Sequence, residues 1–170
     1  MTPRLSGEGS QLLHESVNVY RLDQVAVAAG ISMHPNGYVR ELAVRALADS
    51  RDRRSVRWLV LRSGDWVAAI RSIVTSGVGP WLSAEHADVV VDLLPLLGGG
   101  RFDAGRPAAR LRDHVNDVLR LPAALPAIEA GAASPDRAIR RACVNVLAHT
   151  RPTVALLERV LGTDDVAAVA

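Results

Sequence analysis

The sequence Ser134-Pro135-Asp136-Arg137-Ala138-Ile139-Arg140 indicates the architecture of the protein, because related sequences recur along the chain. An apolar residue followed by Arg also stands at Val39-Arg40, Ile70-Arg71 and Leu111-Arg112. In all four places, apolar residues follow four and eight positions after the first one, which puts the trio on one face of a helix. The recurrence predicts several helices of one kind.

The residues that lead into each apolar–Arg pair recur as well. Four residues before the apolar residue of each pair stand Pro35, Trp66, Pro107 and Pro135. Proline in the first turn of a helix loses no hydrogen bond, so we expect the helices to begin at these positions. Asp65 and Ser134, one residue earlier, are suitable N-caps. A fifth lead-in at residues 164–169 predicts the start of another such helix.

Second apolar segments lie between these helices. They cover Val17 to Ala29, Val56 to Leu61, Val89 to Leu97, Leu121 to Ile128 and Val154 to Leu161. Each unit is therefore predicted to be a helix pair, with an outer helix A formed by the apolar segment and an inner helix B that carries the Arg. Pro95 and Pro126 fall inside A segments and should kink or shorten them.

Residues 34–40 and 134–140 resemble the Asp-Pro-Asp-x-x-Val-Arg signature of HEAT-like repeats, in their short bacterial form. Residues 106–112 depart from it, because Arg stands where the acid belongs. The resemblance implies an all-α fold, an α-solenoid of stacked antiparallel helix pairs, with about four full HEAT-like repeats plus a partial fifth. The repeat domain would cover residues 17–170, after a flexible leader at residues 1–16. Since the last repeat is incomplete, we expect the C-terminal end to continue into further structure or to be covered by a partner.

The recurring Arg residues form a structural ladder in this arrangement. They are Arg40, Arg71, Arg112 and Arg140. The resemblance implies that each bonds to acids or backbone carbonyls of an adjacent unit, and a row of Arg open to phosphates is the alternative. The apolar residues of the same helices should point into the stack. Cys143 occupies one of these positions, and we interpret it as a packing residue.

The composition excludes several classes of function. All twenty basic residues are Arg, so the chain lacks the Lys of a P-loop, of a pyridoxal Schiff base and of a protein kinase. One Cys cannot form an internal disulfide, which suits a reducing compartment. No apolar run approaches the roughly 18 residues that a membrane span needs. We therefore expect a cytoplasmic protein without a membrane partner.

Few residues are arranged for catalysis. The His and Cys residues lack the spacing of a zinc site, and no nucleophile-elbow or phosphate-loop motif occurs, so we assign no metal, cofactor or catalytic residue. Asp113, His114 and Asp117 come nearest to a catalytic cluster, because the two Asp share a helix face. A solvated charged face, with Arg110 and Arg120 within salt-bridging reach, is the simpler interpretation. A carboxylate pair for acid–base work is the alternative, and enzyme activity is open but not expected.

Basic residues are concentrated in one block. Residues 36–62 hold seven Arg against three acidic residues, whereas residues 63–100 hold one Arg against four. The alternation disfavours a continuous nucleic-acid track, which needs cations along its whole path. The block still offers a candidate anion or nucleic-acid patch. It consists of Arg51, Arg53, Arg54 and Arg57.

Trp66 takes the place of proline at a helix start, and we expect it to pack between helices. The Asp65-Trp66 pair is similar to the Asp and Trp that HEAT-like alkylpurine DNA glycosylases use on a basic concave surface. The two positions do not align with the catalytic positions of those enzymes, so no catalytic role is carried over.

One face of the B helices is predicted to bind a partner. The residues two and six positions after the apolar residue of each apolar–Arg pair are predicted to point away from the core, and their chemical type changes from unit to unit. They are Glu41, Arg45, Ser72, Ser76, Asp113, Asp117, Arg141 and Asn145. Mixed charge along this face favours a protein partner. The sequence therefore predicts a protein–protein interaction scaffold; nucleic-acid binding through the Arg-rich block at residues 40–62, with or without glycosylase-like chemistry, is the alternative.

Overall fold

A computed structural model of the chain describes residues 24–98 and 106–150, with the side chains of the second range from residue 109 onward. These residues form α-helices joined by turns and short 3-10 helices, with no strand among them, which confirms the all-α prediction. Helix α1 covers residues 24–31. The others are α2 (Gly37–Asp49), α3 (Arg53–Leu61), α4 (Ala68–Val78), α5 (Ala87–Leu97), α6 (Arg106–Arg120), α7 (Leu125–Ala132) and α8 (Arg137–Thr150). The 3-10 helices are Gly79–Trp81, Ala84–His86 and Pro122–Ala124.

The helices follow the predicted order of segments. The apolar–Arg pairs lie in α2, α4, α6 and α8, and the second apolar segments correspond to α1, α3, α5 and α7. The segment at residues 154–161, the lead-in at residues 164–169 and the predicted leader at residues 1–16 lie outside the described residues.

One hydrogen-bonded turn precedes α2, α4 and α8 in the same form. The turn begins at the residue six positions before the Arg, which is His34, Asp65 or Ser134. The side chain of this residue accepts a hydrogen bond from the backbone N–H two residues later, at 3.1, 3.0 and 3.1 Å in that order. The backbone carbonyl of the same residue accepts a hydrogen bond from Nη1 of the Arg six residues later, at 3.0, 2.7 and 2.7 Å in that order. The repeated spacing of the sequence is thus a repeated local structure at these three places.

The predicted helix starts are wrong by two residues for α2, α4 and α8, whereas α6 begins at Arg106, so Pro107 lies in its first turn as predicted. The side chain of Asn36 accepts the N–H of Tyr38 at 2.9 Å and caps α2. Asp136 does the same before α8, where its carboxylate accepts the N–H of Ala138 at 2.8 Å. Pro35 and Pro135 therefore lie before the caps. The reason is that the turn described above uses the residues around each proline, and a helix can begin only after that turn has closed.

Pro126 was also misjudged. The helix α7 begins only at Leu125, after the 3-10 helix Pro122–Ala124, so Pro126 lies in its first turn and interrupts no helical hydrogen bond. Pro95 lies inside α5, which ends two residues later at Leu97, in agreement with a shortened helix.

Packing is successive along the chain. Helices α3, α5 and α7 pack one on the next, while α4, α6 and α8 each pack on the helix that precedes them. Helix α2 packs on α3 and α4, and α8 also contacts α5. The buried apolar side chains form one cluster that extends from Val25 to Leu147.

The predicted core residues that lie four or eight positions after the apolar residue of an apolar–Arg pair are all buried. These residues are Ala43, Leu47, Val74, Val78, Val115, Leu119, Cys143 and Leu147. The apolar residues of the apolar–Arg pairs differ in burial: Ile70 is buried, whereas Val39, Leu111 and Ile139 are half-buried. The predicted burial is confirmed for the residues four and eight positions after each apolar–Arg pair begins. It is confirmed only in part for the apolar residues of the pairs, which lie nearer to the starts of their helices.

Candidate functional site

A buried ion pair joins α2 to the turn before α4. The Arg40 guanidinium donates from Nε to one Asp65 carboxylate oxygen at 2.9 Å and from Nη2 to the other at 3.0 Å. Both side chains are 2% exposed. Nη1 of Arg40 donates to the carbonyl oxygens of His34 and Pro35. The bidentate geometry and the filled donors offset the desolvation that burial of two charges costs.

The surroundings keep Asp65 ionised. Burial raises the pKa of Asp65, but hydrogen bonds from Arg40 and from the Val67 N–H, together with the positive charges of Arg40 and Arg62, outweigh it and hold the pKa below its usual value. Burial lowers the pKa of Arg62, the charge of Asp65 opposes that shift, and the charge of Arg40 adds to it. This junction between α2 and α4 is therefore a fixed arrangement of charges.

Trp66 lies on this junction with most of its ring in solvent. The residue is 76% exposed, so the prediction that it packs between helices is wrong. The guanidinium carbon of Arg40 lies 4.1 Å from the centre of the indole ring, a cation–π contact. The backbone on both sides is held, because Asp65 accepts from Val67 and its carbonyl accepts from Arg71. An aromatic ring is thus presented to solvent in a fixed position.

Two further apolar residues are exposed on α2, on the side of the helix that faces away from Arg40. Tyr38 is 82% exposed and Leu42 is 69% exposed, one helical turn apart. At the start of α2 the helices approach closely, since a Cβ on Gly37 would lie 3.3 Å from the Val67 side chain. We call Tyr38, Leu42 and Trp66 the apolar anchors. Sequence reasoning missed them, although the spacing of Tyr38 and Leu42, away from the core positions, was a usable signal.

The structure brings four of the eight predicted partner-binding residues onto two packed helices. Arg45 donates to Glu41 at 3.0 Å on α2, and both side chains reach the surface. Ser72 and Ser76 are exposed on the adjacent α4. With the apolar anchors they make up the surface that we call the α2–α4 face.

The other four predicted residues lie apart from this pair of helices. Arg141 and Asn145 are exposed on α8, whose principal neighbours are α7 and α5. Asp113 and Asp117 are exposed on α6, which packs mainly on α5. All four side chains are therefore exposed, but α6 packs mainly on α5, and α8 packs mainly on α7 and α5.

A cleft of about 540 Å³ lies between residues 82–84 and α6. It includes the cluster that came nearest to a catalytic arrangement in the sequence. Its charged or titratable lining consists of Arg110, Asp113, His114 and Asp117, and its larger apolar lining consists of Leu82, Val118 and Leu121. Asp117 accepts from Arg120 at 3.2 Å, as the spacing predicted. The carboxylates are open to solvent, which suits binding at a surface more than proton transfer in a water-free site.

The candidate anion patch is largely paired within the chain. Arg53 on α3 lies 3.1 Å from Asp88 and 3.5 Å from Asp92, both on α5. Arg54 pairs with Asp52, and hydrogen bonding to Arg54 holds the pKa of that carboxyl below its usual value. Two of the four Arg of the patch therefore pair with three carboxylates, and the guanidinium of Arg57 lies 5.5 Å from the centre of the Trp58 ring.

The ladder residues act at the turns. Arg40 bonds to carbonyls of its own turn and to Asp65 of the next, whereas Arg71 and Arg140 donate to carbonyls of their own turns. Arg112 is half-buried on α6. In the three described turns, the Arg side chain closes the start of its own helix.

Neither a metal site nor a membrane span is found in the part of the chain that the structure describes. No three His, Cys, Asp or Glu side chains converge there in a way that would hold a metal ion. No helix among residues 24–98 and 106–150 has the length and apolar character needed to cross a bilayer.

The fold and the α2–α4 face define a helical protein in which α2, α4 and α8 each start from an Arg-closed turn. No family model, no curated protein and no solved structure matches the chain.

Proposed function

We propose that the chain is a HEAT-like α-solenoid that serves as a protein-interaction scaffold and binds its partner through the α2–α4 face. The recurring turns and the successive packing of α3, α5 and α7 support a repeat architecture. Function is argued from the surface, because a helical repeat fold by itself accommodates many activities.

The observation that carries the proposal is the exposed but fixed Trp66. Binding energy at protein interfaces is concentrated in a few Trp, Tyr and Arg residues. A ring already held in position loses little conformational entropy when a partner covers it. Tyr38 and Leu42 add exposed apolar area on the outer side of α2, and each leaves more than two-thirds of its area in solvent.

The rim of this surface suits a protein more than a polyanion. Glu41 and Arg45 neutralise each other, and Ser72 and Ser76 carry no charge. A nearly neutral rim around apolar anchors is the usual composition of a protein interface. The Arg-rich patch offers little to nucleic acid, because Arg53 and Arg54 are already paired with carboxylates.

Affinity capture of the full chain, with quantified recovery of bound proteins from the source organism, tests the proposal. Trp66→Ala should reduce recovery of a specific partner about thirty-fold, as expected for an interface residue worth about 2 kcal/mol. Tyr38→Ala and Leu42→Ala should each reduce it less.

Val27→Ser is the matched control, since Val27 on α1 is 56% exposed and its loss also removes exposed apolar area. It should leave recovery unchanged. Circular dichroism should show the same helix content and melting temperature for both variants. A partner that is recovered equally with Trp66→Ala and with the wild-type chain would contradict the proposal.

A further inference from the structure

The cleft on α6 has a chemical gradient along its length. Its α6 residues lie at positions 110, 113, 114, 117 and 118, the spacing of one continuous helix face, and Leu121 follows directly after the end of the helix. From Arg110 to Val118 the face is about 12 Å long, given the rise of a helix per residue. Leu82, Val118 and Leu121 form an apolar end, and the charged side chains follow from Asp117 toward Arg110.

Two carboxylates face this cleft one helical turn apart. Among residues 24–98 and 106–150, Asp113 makes no ion pair. Asp117 pairs with Arg120, but both side chains are about 70% exposed, so that pair is weak and exchangeable. Arg110 lies at the far end of the face, beyond Asp113. The most negative part of the cleft is therefore the stretch between the two Asp.

We propose that this cleft binds an arginine side chain presented by a partner protein. The aliphatic stem would lie on the exposed part of Leu121, beside the buried Val118 and Leu82, because long basic side chains bury their stems on apolar surface. The planar guanidinium would donate to Asp113 and Asp117 with separate N–H groups, a geometry that the single ammonium of lysine does not match. Leu121 is 47% exposed, so it has apolar area for the stem to cover.

This inference rests on the proposed function, since it names one chemical feature of the protein partner. It uses a different surface from the apolar anchors, so the two ideas can fail separately. Trp66→Ala should leave arginine binding to the cleft unchanged, and loss of arginine binding would leave the anchors on α2 and α4 untouched.

Two-dimensional amide NMR of the full chain, titrated with N-acetyl-arginine N-methylamide, tests the inference. We expect millimolar affinity, with shifts concentrated at residues 82–84 and 110–121. The citrulline analogue has the same shape without the charge and should bind at least about fivefold more weakly, because exposed ion pairs contribute modestly. The lysine analogue should fall between the two.

Asp113→Asn combined with Asp117→Asn should weaken arginine binding by the same factor, and raised salt should weaken it in the wild-type chain. Asp49→Asn, an exposed Asp on α2, is the control and should change nothing. Equal binding of arginine and citrulline, unchanged affinity in the double variant, or shifts scattered over the whole surface would each overturn the inference.

Discussion

At the scale of single residues, one side chain distinguishes the junction of α2 and α4 from the other turns. His34 and Ser134 each accept a backbone N–H in their turns, and Asp65 does the same. A carboxylate has more acceptor sites than a hydroxyl or an imidazole, so Asp65 can also bind Arg40 of the preceding unit. A single acidic residue at this position thus converts a local turn into a contact between α2 and the turn before α4.

Asp65→Ala should destabilise the protein by about 3 to 5 kcal/mol, because it leaves the Arg40 guanidinium buried without its carboxylate. Urea denaturation followed by circular dichroism measures this. Asp65→Ser is the informative companion, since it places the residue of the Ser134 turn at this site. It should retain the turn but lose nearly as much stability.

Glu41→Ala serves as the control for a solvent-exposed ion pair, and its cost should be about 1 kcal/mol or less. If Asp65→Ser were as stable as the wild-type chain, the buried ion pair would contribute nothing.

Asp65 also makes stability depend on pH. Its folded-state pKa is lower than the value of about 3.9 expected in the unfolded chain. The unfolded state therefore binds the proton more readily, and the stabilisation is present above about pH 4 and is lost as the pH falls toward the folded pKa. The stability difference between the wild type and Asp65→Ser should shrink when urea denaturation is repeated between about pH 5 and 3. A difference that stays constant across this range would contradict the assignment.

At the scale of helices, a glycine sets how closely α7 approaches its neighbours. A Cβ on Gly131 would lie 2.5 Å from Sγ of Cys143 on α8 and 2.7 Å from Val91 on α5. Burial, with the charge of Asp92 adding to it, raises the pKa of the Cys143 thiol to about 11. Cys143 is therefore a packing residue of this three-helix contact, as the sequence indicated.

Gly131→Ala should cost about 1 to 3 kcal/mol, the usual effect of overpacking a close contact. Gly30→Ala is the matched control, since a Cβ there meets nothing within 4 Å. It should be neutral or should stabilise the protein by about 0.4 to 1 kcal/mol, because Ala restricts the unfolded chain.

Cys143→Ala in the Gly131→Ala background should recover part of the loss, because it removes the atom that a Cβ would meet. Thermal melts of the four variants, including the Cys143→Ala single variant, measure the coupling. Purely additive effects would mean that the two residues do not meet.

At the scale of the whole molecule, carboxylates distant in sequence neutralise the Arg-rich block. Asp88 and Asp92 on α5 approach Arg53 on α3, so a segment with few Arg supplies the counter-charges for the segment that has many. These exposed pairs add little stability. Their effect is on the local net charge, since two carboxylates lie beside Arg53.

Duplex DNA should therefore bind poorly. In fluorescence anisotropy we expect no binding at micromolar protein and about 150 mM salt, and at lower salt a logarithmic salt dependence with a slope of about −1 to −2. Asp88→Asn with Asp92→Asn would free Arg53 and should make binding tighter and the slope steeper. A slope near −5 for the wild-type chain would show a phosphate track that these pairs do not block.

The helical segments could be predicted from the sequence alone. So could the burial of the residues four and eight positions after the apolar residue of each apolar–Arg pair, such as Leu47 and Val115. Both follow from helical periodicity, which acts between near neighbours in the chain. Tertiary structure decided that Trp66 is exposed, that Arg40 pairs with Asp65, and that residues 82–84 form a cleft with α6. Exposure and pairing depend on which distant segment covers a residue, and apolar spacing along one helix contains no information about that segment.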